Sequence, residues 1–279
     1  MPTARPSPPS SGPAPIGALL RTWRDARGKS QEWVAARAGV STRHLSFIET
    51  GRAAPGRDVV LALAGALDVP LRTRNELLLA AGHAPGYGAA GLGDADLAMV
   101  RRALDLILDH HEPFPAVVFD RLTNVVRMNR GGLALFTRFA PPALPPALAQ
   151  NVLLALLHPD GWKPFVVNWD ELAGDLIERL HRDLAAAPGD RALAALAEQA
   201  LALPDVPHAW RRPRWTAPVQ PCAIVHLRRG ELELRLFTTI TMLGTPLDVT
   251  AEELRIESYF PVDAATEALL RGWALPSET

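Results

Sequence analysis

The chain has 279 residues, room for two domains with a core each, and is 48% hydrophobic and 21% charged, as globular water-soluble proteins are. Its one cysteine, Cys222, excludes an internal disulfide and fits a reducing, cytoplasmic setting, and no run of 18 apolar residues offers a membrane span. A net charge of −1 argues against a nucleic-acid partner only until the chain is split: residues 15–86 carry 10 Lys/Arg against 6 Asp/Glu, and residues 87–279 carry 18 against 24.

Residues 1–14 are rich in Pro and Ser, lack an apolar signal-peptide core, and are expected to be a disordered tail. A helix over 16–27 follows, with Ile16, Leu19, Leu20 and Trp23 on one face. The stretch 31–50, QEWVAARAGVSTRHLSFIET, predicts two short helices crossing at a steep angle. Ala35 is small where they approach. Gly39 stands in the turn, where a positive φ favours glycine. Ser30 and Ser41 are placed to cap the two helices, Gly51 to stop the second. Val34, Ala38, Val40, Leu45 and Ile48 supply a shared core; a plain helical hairpin is the other reading of the same pattern. Helices over 57–67 and 74–81 complete an all-α five-helix domain ending near residue 86.

The Gly/Ala-rich segment 86–93 reads as a joint, and the helix expected over 94–110 as a connector: 87–112 is assigned as linker and connecting helix. The apolar stripe of that helix, with Leu97, Val100, Leu104, Ile107 and Leu108, needs a partner, either the sheet that follows or the same helix of a second chain. A second domain over 113–273 opens with strands at 116–120 and 124–128 and a short helix at 130–139. Helical pieces then fall near 149–157, 168–187, 190–202 and 207–212. Strands follow at 222–227, 231–242 and 254–260, the first two joined by a turn at 228–230, and a helix over 264–273 closes the chain.

The first domain resembles the lambda-repressor-like helix-turn-helix domains of the XRE class. The resemblance implies that the second helix of the motif enters the major groove of operator DNA by its N-terminal half. Thr42, Arg43 and Ser46 then face base edges, with Arg43 able to grip a guanine in bidentate fashion, and Ser41 at the helix start is a further DNA-binding candidate. His44 reaches a base or a phosphate, and Phe47 a thymine methyl or the first helix. Gln31, Arg52 and Arg57 suit phosphates. Arg24 and Glu49 occupy the places of a pair that fixes the recognition helix in this class. Gly56 stands where related chains usually carry a Ser cap.

Two strands, a helical insertion and three antiparallel strands form the order of a PAS-type sensor domain. The segments RTRNELLLAAGHAP (72–85), AVVFDRLTNVVRMNRGGLALF (116–136), NWDELAGDLIERLHRD (168–183) and ELELRLFTTITMLGTPLDVTAEELRIESYFP (231–261) together resemble the MmyB-like transcription regulators. The fold expected is α+β: a helix-turn-helix domain followed by a PAS-like domain with an antiparallel sheet and a helical insertion. The resemblance implies a pocket for a small amphipathic molecule such as a fatty acid, whose head group needs donors. Asn129, Arg130, Asn168, Trp169, His181 and Arg182 lie in the matching motifs and are the candidates, although Asn129 fits a helix cap better and Trp169 fits plain core.

Neither 110–112 (His-His-Glu) nor 158–160 (His-Pro-Asp) has zinc-site spacing with further ligands, and no nucleophile elbow, P-loop or dinucleotide fingerprint is present. No metal, no cofactor and no catalysis are expected. The reading is a cytoplasmic, homodimeric regulator that binds double-stranded DNA and senses a small hydrophobic ligand. The alternative is a DNA-binding regulator whose C-terminal domain, fully packed inside, serves only dimerisation or a protein partner.

Overall fold

The computed structural model describes residues 15–142, 144–214, 222–244 and 247–273, so the expectation for the tail 1–14 lies outside the described residues. The chain divides into two compact units, 1–87 and 88–279.

The first unit is helical: α1 Ile16–Ala26, α2 Gln31–Ala38, α3 Thr42–Glu49, α4 Arg57–Ala66 and α5 Leu71–Ala80. The serine caps form as their spacing predicts. Ser30 accepts from the Trp33 amide and Ser41 from the His44 amide, each at 3.1 Å. Gly39 ends α2 at φ +69°, in the left-handed region. Trp23, Leu45, Ile48, Val60, Leu63 and Leu77 close a continuous core, each contributing about 1.5–3 kcal/mol of apolar burial. The last helix starts three residues earlier than its sequence pattern implies, because Pro70 stands at its cap and accepts the Arg74 amide at 2.9 Å. The proline ring's missing N–H falls where no helical bond is needed.

The second unit is built on a five-stranded antiparallel sheet of order β2-β1-β5-β4-β3. Its strands are β1 Ala116–Phe119, β2 Val125–Met128, β3 Ile224–Arg229, β4 Leu232–Met242 and β5 Arg255–Pro261. On one face lies α6 Ala98–His110, whose Leu104 and Leu108 pack on Ala116, Val118, Leu254 and Ile256. That corrects the assignment of 87–112 as linker and connecting helix. The stripe is buried against its own sheet, and the preceding joint is pinned as well: Gly88 accepts from Val249 at 2.8 Å and Ala90 accepts the Thr250 hydroxyl at 2.7 Å.

The other face of the sheet is covered by α7 Arg130–Arg138, α9 Val152–Leu157, α10 Trp169–Ala186 and α11 Arg191–Leu201, with a short α8 Pro146–Ala149 leading into α9. Alternation along β1 sends Val117 and Phe119 to this side and Ala116 and Val118 to the α6 side. The piece expected at 207–212 is a 3-10 turn, His208–Arg211. A short helix that periodicity missed, α12 Val249–Glu253, is capped by the Asp248 carboxylate, which accepts from Thr250 and Ala251. The last described element is α13 Ala264–Trp273, whose Leu270 joins the core on the covered face.

Candidate nucleic-acid interface and ligand cavity

In the first unit α3 turns Leu45 and Ile48 inward and leaves Thr42 and Arg43 exposed on the opposite face. The Arg43 guanidinium lies 5.3 Å over the Phe47 ring, one helical turn on, so the two side chains form one ridge. Ser41, at the helix mouth, keeps its hydroxyl proton free to donate while its oxygen caps the helix. His44 and Ser46 are half-buried, and Arg52 is exposed just beyond the helix.

Two of the expected phosphate ligands are engaged internally. Gln31 donates its amide to Glu49 at 2.8 Å, and Arg57 donates to the Ala84 carbonyl at 2.6 Å. Both therefore brace the helices beside α3. Arg24 grips Glu49 with two bonds, Nε to Oε1 at 2.7 Å and Nη2 to Oε2 at 3.0 Å, and its remaining nitrogen reaches the Lys29 carbonyl. Hydrogen bonding to Glu49 raises the Arg24 pKa against the opposing effect of burial, so the charge is held. With the Glu49 side chain only 3% exposed, this pair fixes where the C-terminal end of α3 sits. The α1 backbone also runs close to α3 at Gly17, where a Cβ would lie 2.3 Å from the Ile48 carbonyl oxygen and 2.8 Å from that of Glu49. A feature not read in the sequence is exposed Trp33, flanked by Lys29 at 4.5 Å and Arg37 at 5.6 Å.

The second unit has a partly open cavity of about 510 Å³ between the covered face of the sheet and the helices over it, within the range of about 300–1,000 Å³ usual for small-molecule sites. Its apolar walls include Phe136 from α7, Leu156 from α9, Leu172 and Leu176 from α10, and Ile240 from β4. The register Ile240↔Glu257 and Thr238↔Tyr259 sets those four side chains in neighbouring rows. A smaller cavity of about 60 Å³ shares Val152, Leu176, Arg179, Ile240 and Glu257 with it and extends towards Leu193 and Leu196 of α11.

Of the six ligand-binding candidates, only Arg182 lines the main cavity. Four of the others bond to the fold, and Arg130 is exposed. Asn129 accepts from the Ala116 and Gly132 amides and donates to the Leu108 and Phe114 carbonyls, so all its capacity is used. Arg130 points into solvent 3.6 Å from Glu112. Asn168 ties the start of α10 to β3, donating to Ile224 and accepting from His226. Trp169 donates to the Leu156 carbonyl and stacks on Trp210 at 5.7 Å. His181 bonds the Trp210 carbonyl at 2.8 Å.

Besides Arg182, the polar groups that line the cavity include Arg179, Asp175, Glu178 and Arg214, with Thr238, Thr239, Glu257 and Tyr259 from the sheet. Glu178 and Arg214 close on each other at 2.9 Å, and the Arg214 amide adds bonds to the same carboxylate. Burial would raise the Glu178 pKa, but those bonds and the Arg214 charge outweigh it and hold it low. Burial raises the Asp175 pKa, with nearby Glu171 adding to it. Burial likewise raises Glu257, although the Arg179 charge and the Thr238 hydroxyl oppose the rise. Burial lowers Arg179, helped by Arg255. Tyr259, beside Glu257, is pushed well up by burial and stays a neutral phenol.

Sequence periodicity contained part of this. Leu172, Leu176 and Arg179 follow an inward helical spacing, and Glu257 and Tyr259 share one face of β5. Among the described residues no cluster of three or more metal-ligating side chains occurs, and no helix is long and apolar enough to cross a membrane.

A helix-turn-helix domain model matches residues 15–77, and the model described as MmyB-like transcription regulator ligand binding domain matches residues 100–272. Curated relatives include uncharacterised HTH-type transcriptional regulators of Mycobacterium bovis and of two Mycobacterium tuberculosis strains, each 29% identical over 173 residues. Those alignments cover 59% of this chain and 66% of each relative, so the chain spans just under two thirds of their length. A solved RNA-binding light-oxygen-voltage receptor aligns over 92% of this chain and 62% of its own at 13% identity, with a TM-score of 0.27, too low to carry any argument. With the family model covering most of the second unit and the helix-turn-helix in front of it, the chain belongs to the MmyB-like transcription regulators.

Proposed function

We propose that this chain is a DNA-binding transcription regulator that acts as a homodimer and whose C-terminal unit senses a small, mainly apolar ligand of the fatty-acid kind. The observation that carries the ligand reading is the cavity of about 510 Å³, walled by Leu, Phe, Val and Trp side chains with a few convergent polar groups. It also weighs against a C-terminal domain used only for dimerisation or docking, whose interior would be filled. The sheet order 2-1-5-4-3 with helices over one face supports a PAS-like architecture. On the DNA side, the exposed Arg43–Phe47 ridge on α3, in the net-basic part of the chain, supports major-groove reading. A single domain of this size reads few base pairs, which favours two half-sites and two chains. Any ligand effect on operator affinity is matched by an equal operator effect on ligand affinity.

Two measurements on the full chain test the reading. Organic extraction followed by mass spectrometry, with thermal shifts across saturated acids of graded length, is expected to show bound acid or a length optimum. A flat series with nothing extracted overturns the ligand reading. Operator half-sites selected from random duplexes are expected to lose about 1–3 kcal/mol and to relax at one base pair in Arg43→Ala. Unchanged selection by that variant overturns the docking of α3.

A further inference from the structure

The polar groups of the cavity are arranged for more than a lone carboxylate. Arg179 and Glu257 both line the main cavity and its smaller extension, so they stand where the two meet. Among the described residues neither has an opposite charge within 4.0 Å, although each feels the other's charge, whereas the neighbouring charges are closed on each other: Glu178 with Arg214, and Arg255 with Asp183. The Thr238 hydroxyl serves one side of Glu257. A carboxylate accepts about four hydrogen bonds, so most of its capacity still faces the cavity.

The ionisable groups of the cavity are matched in number, with Asp175, Glu178 and Glu257 against Arg179, Arg182 and Arg214. A plain fatty acid brings one more carboxylate beside Glu257. What it gains from Arg179 it loses in part to that repulsion. A ligand with a hydrogen-bond donor near its carboxylate changes the sign of the Glu257 interaction. The donor goes to Glu257 while the carboxylate takes the Arg179 fork. A hydroxyl suits this better than an ammonium group, whose desolvation is far more costly.

Resting on the cavity being a ligand site, we infer that its ligand is a hydroxylated acyl acid, carboxylate on Arg179 and hydroxyl on Glu257. Specificity then comes from the pair. A site built around a hydrogen bond to a ligand hydroxyl rejects the analogue lacking it far more strongly than an apolar wall rejects a missing methylene.

The test uses the full chain, stripped of lipid, titrated calorimetrically with dodecanoate, 2-hydroxydodecanoate, 3-hydroxydodecanoate and 1-dodecanol. At least one hydroxy acid is expected to bind tenfold or more tighter than dodecanoate, with dodecanol weaker than both acids. In Glu257→Leu the hydroxy-acid preference is expected to vanish while dodecanoate binds as well or better. Glu257→Gln, closer in shape, is expected to reduce the preference at least threefold and guards against a folding defect in the leucine variant. Dodecanoate binding as tightly as both hydroxy acids overturns this inference and leaves the sensor reading standing. No binding of any of the four compounds overturns both.

Discussion

Gly17→Ala is expected to loosen the reading head although it touches no DNA. A Cβ at this position meets the Ile48 carbonyl oxygen at 2.3 Å and the Glu49 carbonyl oxygen at 2.8 Å. Reaching even 3.0 Å requires α1 and α3 to part by about 0.7 Å, and a backbone carbonyl cannot swing aside as a side-chain tip can. That movement also opens the packing of Leu20 and Trp23 on Ile48 and lengthens the Arg24–Glu49 bonds. Overpacking of this kind costs up to about 3 kcal/mol, and alanine's helix preference returns at most about 1, so the expected net loss is about 2 kcal/mol. Gly65→Ala is the matched control: the same change inside α4, with nothing within 4 Å of the new methyl group. It is expected to stabilise by about 0.5–1 kcal/mol. Amide hydrogen exchange followed on peptides of α1, α3 and α4 in the full chain separates the two, because it reads this unit without requiring a two-state transition of the whole protein. Equal protection in the two variants refutes the close-approach argument.

Asn129→Ala is expected to cost about 4 kcal/mol, since it strands two buried amides and two buried carbonyls at once; a loss below 1 kcal/mol in urea unfolding followed by near-UV circular dichroism contradicts its structural role. Leu104→Glu, at a fully buried position on α6, is expected to destabilise the second unit by about 4 kcal/mol or more, whereas exposed Met99→Glu on the same helix stays within about 0.5 kcal/mol. Hydrogen exchange in the first unit should not change in either variant. The Glu178 pKa is lowered in the folded state, so its stabilisation is present above the ordinary glutamate value of about 4.3 and is lost as pH falls through the lower native value. Glu178→Gln is expected to flatten the acid limb of the second unit's melting curve, and an unchanged limb would show that other carboxylates set it.

The helix-turn-helix was legible because its constraints are local. A cap, a left-handed turn and an apolar spacing each act within one helical turn, and Ser30, Ser41 and Gly39 take the conformations their positions predict. Arg24 and Glu49, 25 residues apart, were legible through family resemblance, and the structure shows the bidentate bonds. Gly17 was not, because a glycine inside an amphipathic pattern looks the same whether open space or another helix's carbonyls lie against it. The role of α6 was open for a similar reason: an apolar stripe declares that it needs a partner without naming one. The sheet completes it, through Ala116 and Val118 in β1 and Ile256 in β5.

The cavity was the least legible part, and its polar side chains show why. Asn129, Asn168, Trp169 and His181 were candidates because they lie in the motifs that carry the family resemblance. In the structure they bond backbone groups of Gly132, Ile224, Leu156 and Trp210 respectively. A side chain whose donors and acceptors are all taken by the fold has nothing left for a ligand. The groups with capacity to spare, Arg179 and Glu257, sit at unremarkable inward positions, one in the middle of a long helix and one in an alternating strand. Burial of an ionisable group at such a position is costly, and the attraction between Arg179 and Glu257 offsets that cost only in part, since burial still lowers the one pKa and raises the other. The cost is recovered when a ligand supplies the missing partner. Inward-facing charges left open by the fold are therefore better guides to the chemistry of this cavity than the residues that make its motifs recognisable.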